Sequence, residues 1–289
     1  MQLLKRTRIL VYLILCLLIA FTGLYIVGGI LVSSKPTSVG PPPDDLPIEV
    51  VRIPKGDNSL THGWFLEGRS DAAGVLLLHG VGANRREMLD RARFLFSAGY
   101  SVLLIDMQAH GETYGEHITF GSLESVDVHE SLRYLRARVH GRKVGVIGSS
   151  MGGAAALLGK KPIDADALVL EGVFATLEQA IENRIVMRLG ELGKTLSPLL
   201  LLQFEPRMGI SLESMSPAKA ISDFHAPVLI ASGSEDRHAL PSEAQAIYDA
   251  ANHPKSLWYL EGAHHQDLHR YDKTSYQRKI LSFFAENLK

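Results

Sequence analysis

Residues 148–152 read Gly148-Ser149-Ser150-Met151-Gly152, a serine framed by glycines in the form G-x-S-x-G. A serine hydroxyl is a weak nucleophile at neutral pH. It needs a neighbouring base, and the base needs a third group to orient it. The chain supplies candidates for both further along. Ser232-Gly233-Ser234-Glu235-Asp236-Arg237 offers acids, and Glu261-Gly262-Ala263-His264-His265-Gln266-Asp267-Leu268 offers histidines. Serine, acid and histidine in that chain order fit acyl transfer, with Ser150 attacking a carbonyl carbon. The base is His265 or His264. The acid is Asp236, with Glu235 beside it and Glu171 at the end of an earlier apolar run as rivals. Asp267 reads as a supporting carboxylate or simply an exposed one.

These groups require a scaffold that presents them on one edge. The pentapeptide follows the apolar run Lys143–Ile147 and leads into Gly153-Ala154-Ala155-Ala156-Leu157-Leu158, which is strand, sharp turn, helix. Such a turn strains the serine backbone and pushes its hydroxyl out of the sheet. The flanking glycines are needed because the turn leaves no room for Cβ atoms. The helix that begins there aims its first amides at negative charge forming near Ser150, and the amide of Met151, the residue after the nucleophile, is one oxyanion donor. Apolar runs at Val75–His79, Ser101–Asp106, Lys143–Gly148, Ala167–Glu171, Val228–Ser232 and Ser256–Leu260 alternate with helical segments near Arg85–Ala98, Ser125–His140, Ser150–Gly159, Glu243–Ala251 and Thr274–Asn287. That alternation implies a parallel sheet covered on both faces, with functional loops at the carboxyl ends of its strands. Ile48–Ile53 and Thr61–Glu67, separated by Pro54-Lys55-Gly56-Asp57-Asn58, read as a β-hairpin.

The interval from Glu171 to Val228 contains no strand signal. Residues from about 175 to 224 are expected to form a small helical cap over the carboxyl edge, or else a helix packed outside. Within it, Leu196–Phe204 holds five leucines and a phenylalanine. Their partner is an acyl pocket, a membrane surface or the cap's own helices.

The chain has 289 residues and a formal net charge of −1, which gives no reason to expect a nucleic-acid partner. Its single cysteine, Cys16, leaves no disulfide framework, zinc site or thiol nucleophile in the globular part. The trio Glu124, Asp127 and His129 lies at helical spacing; capping of a helix and lining of its wet face explain it better than a metal does. No metal or dinucleotide motif is present, and the triad needs no cofactor.

The N-terminus reads as a membrane anchor. Lys5, Arg6 and Arg8 in a basic flank (residues 1–8) precede an almost uninterrupted apolar run over 9–32. About 20 apolar residues span a bilayer. The run is longer than a signal-peptide core and no small-x-small cleavage site follows it, so an uncleaved single-pass anchor is expected. The basic residues precede the span, which puts the N-terminus in the cytoplasm and the rest of the chain on the far side. Residues 33–47, with six prolines and glycines, read as a stiff extended spacer holding the domain (48–289) off the membrane.

From about Ile48 to its end the chain resembles the α/β-hydrolase superfamily, in its branch of esterases, lipases, acyl-thioesterases and serine aminopeptidases. The carrying motifs are Leu78-His79-Gly80-Val81-Gly82, Asp106-Met107-Gln108-Ala109-His110-Gly111-Glu112, Gly148–Gly153, Gly233–Asp236 and Gly262-Ala263-His264-His265. The resemblance implies an α/β fold with a mostly parallel eight-stranded sheet, helices on both faces and a small helical cap. It aligns His265 with the family's histidine, Asp236 with the acid of its Gly-x-x-Asp register, and Val81 with the second oxyanion donor. His79 then reads as a loop-structuring histidine.

The expected function is a membrane-anchored serine hydrolase that cleaves an ester or thioester of a small-molecule or lipid-like acyl substrate through Ser150. A peptidase or amidase of the serine aminopeptidase type is the alternative. From another class, a binding protein on a retained hydrolase fold is the rival, although such proteins usually lose the serine or histidine kept here. The motifs leave the acyl group and the oligomeric state open.

Overall fold

Leucine and branched side chains run unbroken through Val75-Leu76-Leu77-Leu78 and Val102-Leu103-Leu104-Ile105, and all eight are buried. Strands with no polar alternation must be covered on both faces. The computed structural model describes residues 2–56 and 58–289; Met1 of the basic flank and Asp57 of the hairpin turn lie outside the described residues. The elements, in chain order, begin with α1 (Gln2–Leu31), β1 (Lys35–Pro36), β2 (Ile48–Pro54), β3 (Leu60–Leu66), β4 (Gly74–Leu78), α2 (Leu89–Ser97, entered through a 3₁₀ turn over Arg85–Met88), β5 (Ser101–Ile105) and β6 (His110–Gly111). The second half holds α3 (Glu124–Arg138), β7 (Val144–Ser149), α4 (Met151–Leu157), β8 (Ala167–Glu171), α5 (Leu177–Leu189), α6 (Leu192–Leu201), α7 (Phe204–Met208), α8 (Pro217–Ala220), β9 (Val228–Gly233), α9 (Pro241–Ala250), β10 (Lys255–Leu260), α10 (Leu268–Tyr271) and α11 (Lys273–Asn287).

Eight strands form one sheet in the order β10-β9-β8-β7-β4-β5-β3-β2. It is mixed, because β3 runs antiparallel to both β2 and β5, while the strands from β5 across to β10 are parallel. This is the α/β-hydrolase fold and the mostly parallel eight-stranded sheet that the sequence implies. Met88, Ala92 and Leu95 near α2 join Tyr276, Ile280 and Phe284 of α11 on one face. Val128, Leu132 and Leu135 of α3, with α4 and α9, cover the other. Each large side chain buried this way contributes roughly 1.5–3 kcal/mol against the unfolded chain's entropy.

β4 lies between β5 and β7, so the chain leaves β4 to one side and returns to the other. That reversal opens a crevice at the carboxyl ends of the strands. The loops after β4 and β7 flank it, and the loops after β9 and β10 lie two and three strands away on one side. Helices α5 to α8 occupy the strandless interval between β8 and β9.

Two expectations fail. The segment over 33–47 does not stand away from the domain. Lys35 and Pro36 pair in parallel with His110 and Gly111. Val39 is buried, its carbonyl accepts from Arg86 Nε, and Asp45 pairs with Arg93. An extended proline-rich chain leaves its backbone carbonyls free, and here guanidinium and strand donors take them. Glu124 and Asp127 are not on a wet face but buried. Glu124 accepts from the amides of Thr119 (2.9 Å) and Gly121 (2.8 Å), and Asp127 from Lys55 Nζ (3.0 Å) and the Gln108 amide (2.8 Å). They stitch loops together from inside the protein. Among the described residues no group of three or more His, Cys, Asp or Glu side chains is placed to hold a metal ion.

Candidate active site

Ser150 sits between β7 and α4 with φ 49° and ψ −112°. Positive φ on a residue with a side chain is strained and persists only where surrounding structure holds it. Here the Ser150 amide donates to the Glu171 carbonyl at 2.7 Å, and the Ser150 carbonyl accepts from Gly153 and Ala154 at 3.1 Å each. The glycine two residues on is obligatory. A Cβ on Gly152 would lie 2.5 Å from the Leu78 carbonyl oxygen, so only glycine lets α4 start this close to β4.

The candidate acid and base come from neighbouring strands. β9 and β10 pair with Leu260 opposite Gly233, so the loops after them rise side by side. His265 Nδ1 lies 2.7 Å from Asp236 Oδ2. The other carboxylate oxygen of Asp236 accepts from the amides of His238 (2.8 Å) and Ala239 (2.9 Å). Asp236 is buried, His265 half-buried. Nδ1 carries the shared proton in this arrangement, which leaves Nε2 free to accept one. His264 turns away: it is exposed, and its ring contacts the Glu235 carbonyl and carboxylate.

The rival acid Glu171 is spoken for. Its two oxygens meet Arg91 Nη2 at 2.7 Å and Nε at 3.3 Å, and it also accepts from the Tyr276 hydroxyl. Asp267 caps α10 by accepting from His269 N at 2.9 Å and pairs with the same Arg91 at 3.0 Å. Burial alone would raise the Asp267 carboxyl; the guanidinium beside it and the capping amides bring it below its ordinary value.

The loop after β4 carries Val81 toward Ser150. Its shape is held by two backbone-directed side chains. His79 is fully buried, with Nδ1 2.7 Å from the Gly80 carbonyl and Nε2 accepting from the Met107 amide at 3.1 Å. Burial, with His110 nearby, lowers its pKa to about 3, so it is a neutral strut. Glu87 accepts from the Gly80 amide at 2.8 Å. The Val81 and Met151 amides donate to no other group among the described residues.

Two cavities meet at Ser150. A polar cleft of about 310 Å³ is lined by Val81, Ser150, Asp236, His238 and His265 among others. An apolar cavity of about 550 Å³ begins at Val81, Ser150 and Met151 and runs between α5, α6 and α7. Thus Ser150 and Val81 face both spaces, His265 and Asp236 the cleft, and Met151 the cavity. Of the leucine-rich segment, Leu196, Leu200 and Phe204 line the cavity, Leu201 is buried, and Leu199 and Leu202 are exposed.

Several contributors escaped the sequence reading. His238 stacks on His265 with ring centroids 4.9 Å apart. Its position two residues after Asp236 was the available signal. Burial pushes its pKa down, and His265 adds to the effect. Arg184 of α5 lies on both spaces, and burial lowers its pKa against the opposing charges of Asp236 and Glu243. Residues of α1 on the cavity wall had no local signal beyond the paired glycines 28 and 29.

Residues 69–220, just over half of the chain, match the family model described as serine aminopeptidase, S33. Curated relatives that match carry the printed name "uncharacterized protein". YqkD of Bacillus subtilis is 25% identical over 218 residues, covering 74% of this chain and 71% of that one. Rv2307c of Mycobacterium tuberculosis is 25% identical over 226 residues, covering 78% and 74%. Among solved structures, the esterase Pf2001 of Pyrococcus furiosus superposes with a TM-score of 0.72 at 22% identity, over 89% of this chain and all of that one. The esterase EaEST of Exiguobacterium antarcticum gives 0.60 at 16% identity, over 81% and 99%. The chain belongs to the serine aminopeptidase S33 family and is a hydrolase of the α/β-hydrolase superfamily.

Proposed function

We propose that this member of the S33 family is a membrane-anchored serine hydrolase that cleaves an ester or thioester through an acyl-enzyme on Ser150. The observation that carries the reading is the 2.7 Å contact of His265 with Asp236 beside a cleft lined by Ser150. His265 Nε2 takes the Ser150 proton as the oxygen bonds to the acyl carbon. Asp236 keeps Nδ1–H oriented and stabilises the imidazolium that forms. The Val81 and Met151 amides hold the oxyanion, a device whose loss of one donor typically costs 10²–10³-fold in turnover. The acyl–oxygen or acyl–sulfur bond breaks with the proton passing from His265 to the leaving group. A water deprotonated by His265 then releases the acid and restores Ser150.

Carboxylic ester or thioester hydrolysis is preferred over peptide cleavage for two reasons. Solved structures of similar fold are described as esterases. An alcohol or thiol leaving group also needs less protonation than an amine does.

The anchor is α1, whose stretch Lys5–Leu31 is long and apolar enough to cross a membrane. The basic residues ahead of it support an N-terminus in the cytoplasm and a catalytic domain on the extracytoplasmic side. A fluorophosphonate probe should label the full chain and not Ser150→Ala. A panel of nitrophenyl esters, acyl thioesters and aminoacyl amides should give its highest turnover with the first two. A folded chain that takes up no probe beside a reactive control hydrolase would favour the binding-protein reading.

A further inference from the structure

The apolar cavity at Ser150 has one wall that does not come from the catalytic domain. Leu24, Val27, Gly28 and Leu31 of α1 line it. Their spacing of three and four residues puts them on one face of the helix. The helix is apolar on every side, so nothing in its composition selects this face. What selects it is a clamp from α7 and the residue before it. Gln203 Nε2 donates to the Leu24 carbonyl at 3.0 Å, and Arg207 Nη2 to the Tyr25 carbonyl at 2.8 Å. The Arg207 guanidinium also lies 4.0 Å from the centre of the Tyr25 ring. Polar side chains that reach toward an apolar span are costly unless their donors are paired, here with backbone carbonyls. Gly28 provides the room: a Cβ there would sit 2.5 Å from Gln203 Oε1 and push that side chain off the Leu24 carbonyl.

From Leu24 to Leu31 the helix rises about 10 Å, within the ~15 Å hydrocarbon depth of one leaflet. With the hydrocarbon boundary at Leu31, where the apolar stretch ends, the cavity reaches bilayer depth. The element beside α1 is suited to that depth as well. α6 exposes Leu192 and Leu199, and Leu202 just after it is exposed too, two of the three to 72%, while Leu196 and Leu200 line the cavity. An outer face of exposed leucines next to a membrane helix is a surface for lipid, not water.

We propose that α1 is a wall of the acyl pocket as well as an anchor. The pocket takes the long acyl chain of an ester resident in the adjacent leaflet, which slides in sideways beside α1 and α6 until its carbonyl reaches Ser150. This rests on Ser150 being the acyl-accepting nucleophile. The chemistry is unchanged: the acyl carbon bonds to Ser150 Oγ, the ester C–O bond breaks, and the alcohol leaves with the proton carried by His265. The domain selects the bond; the membrane helix selects the chain.

The full chain in lipid nanodiscs is treated with a long-chain alkyl fluorophosphonate that carries a diazirine at its tail, irradiated and digested. Crosslinks are expected on the peptide spanning Leu24–Val32 as well as on α6. Labelled protein whose crosslinks fall on the cap alone would overturn the proposal while sparing the Ser150 reading. In the same discs, Val27→Trp should lower the ratio of nitrophenyl palmitate to nitrophenyl acetate turnover by about tenfold, the loss of about two buried methylenes. Phe21→Trp, on α1 outside the cavity, should keep the parent ratio. An unchanged ratio in Val27→Trp would overturn the proposal. A parent chain that neither takes up the probe nor hydrolyses either ester would overturn the Ser150 reading, and this proposal with it.

Discussion

Arg91 holds Glu171 through one edge of its guanidinium, Nη2 to Oε2 at 2.7 Å and Nε to Oε1 at 3.3 Å, in the interior just beneath the strained turn of Ser150. The pairing takes a carboxylate that ends a strand beside Ser150 and makes it part of the foundation. Glu171→Ala is expected to leave a buried guanidinium with Asp267 as its acidic partner and the Tyr276 hydroxyl at 3.1 Å. Breaking one partner of such a pair costs 3–5 kcal/mol, and the remaining contact with Asp267 puts the loss near ~3 kcal/mol. Urea denaturation reads the loss. Turnover per folded molecule should stay close to the parent's, whereas Asp236→Asn should lose about 10⁴-fold with its stability nearly intact. The opposite pattern would make Glu171 the working acid.

Ser150→Ala and His265→Ala should each remove nearly all ester hydrolysis, about four to six orders of magnitude. The double variant should be no worse than either single one, because the groups act as a unit. His264→Ala should retain activity within a few-fold. Steady-state rates on nitrophenyl acetate separate these outcomes, and a dead His264→Ala with an active His265→Ala would reverse the assignment.

The pH dependence of stability follows from the buried histidines. His79 has its pKa lowered to about 3 by burial, from an ordinary 6.5. Below pH 6.5 the unfolded chain binds a proton there that the folded chain refuses, so stability falls as pH drops from about 6.5 toward 3. His238 and His269 are lowered too, burial being the main cause, and act in the same direction. Urea midpoints at pH 7 and pH 5 should drop for the parent. His79→Gln should start lower, having lost two backbone contacts, but fall by less between the two pH values.

Truncation tests the docked N-terminal segment. A chain starting at Ser34 keeps the β1–β6 pairing and the buried Val39. One starting at Pro41 loses both. Burying a valine side chain is worth roughly 1.5–3 kcal/mol, and thermal unfolding should separate the two chains in that order. Equal midpoints would mean that the segment contributes nothing once α1 is gone.

What could be read from the sequence was local. The turn at Ser150 declares itself because glycine spacing, an apolar strand and an alanine-rich helix lie within a few residues of it. Asp236 and His265 were legible as strand-end loops, since a parallel sheet sends each such loop to the same edge. Choosing His265 over His264 needed the family register, because adjacent residues look alike until a loop twists one inward. Glu124 and Asp127 misled for a different reason. Helical spacing reports which residues share a face, not what covers it, and here loops carrying Thr119, Gln108 and Lys55 cover it. The proline-rich segment was misread because its docking depends on Arg86 and Arg93, far along the chain. The cavity face of α1 was silent for the plainest reason: a helix apolar all round has no pattern from which a partner could be inferred.

The short pairing of Lys35 and Pro36 with His110 and Gly111 lies only a few residues beyond the end of α1. So brief a connection, fixed at both ends, behaves as a bracket. With α1 in a bilayer, the domain cannot swivel relative to that helix or bob away from the surface, and the mouth beside Ser150 keeps one height. For an ester resident in the leaflet, as proposed, its encounters with substrate then occur in two dimensions. Their frequency follows the surface density of the ester in the leaflet, not its concentration in the surrounding water, and diluting the membranes at fixed lipid composition leaves the turnover of each enzyme molecule unchanged.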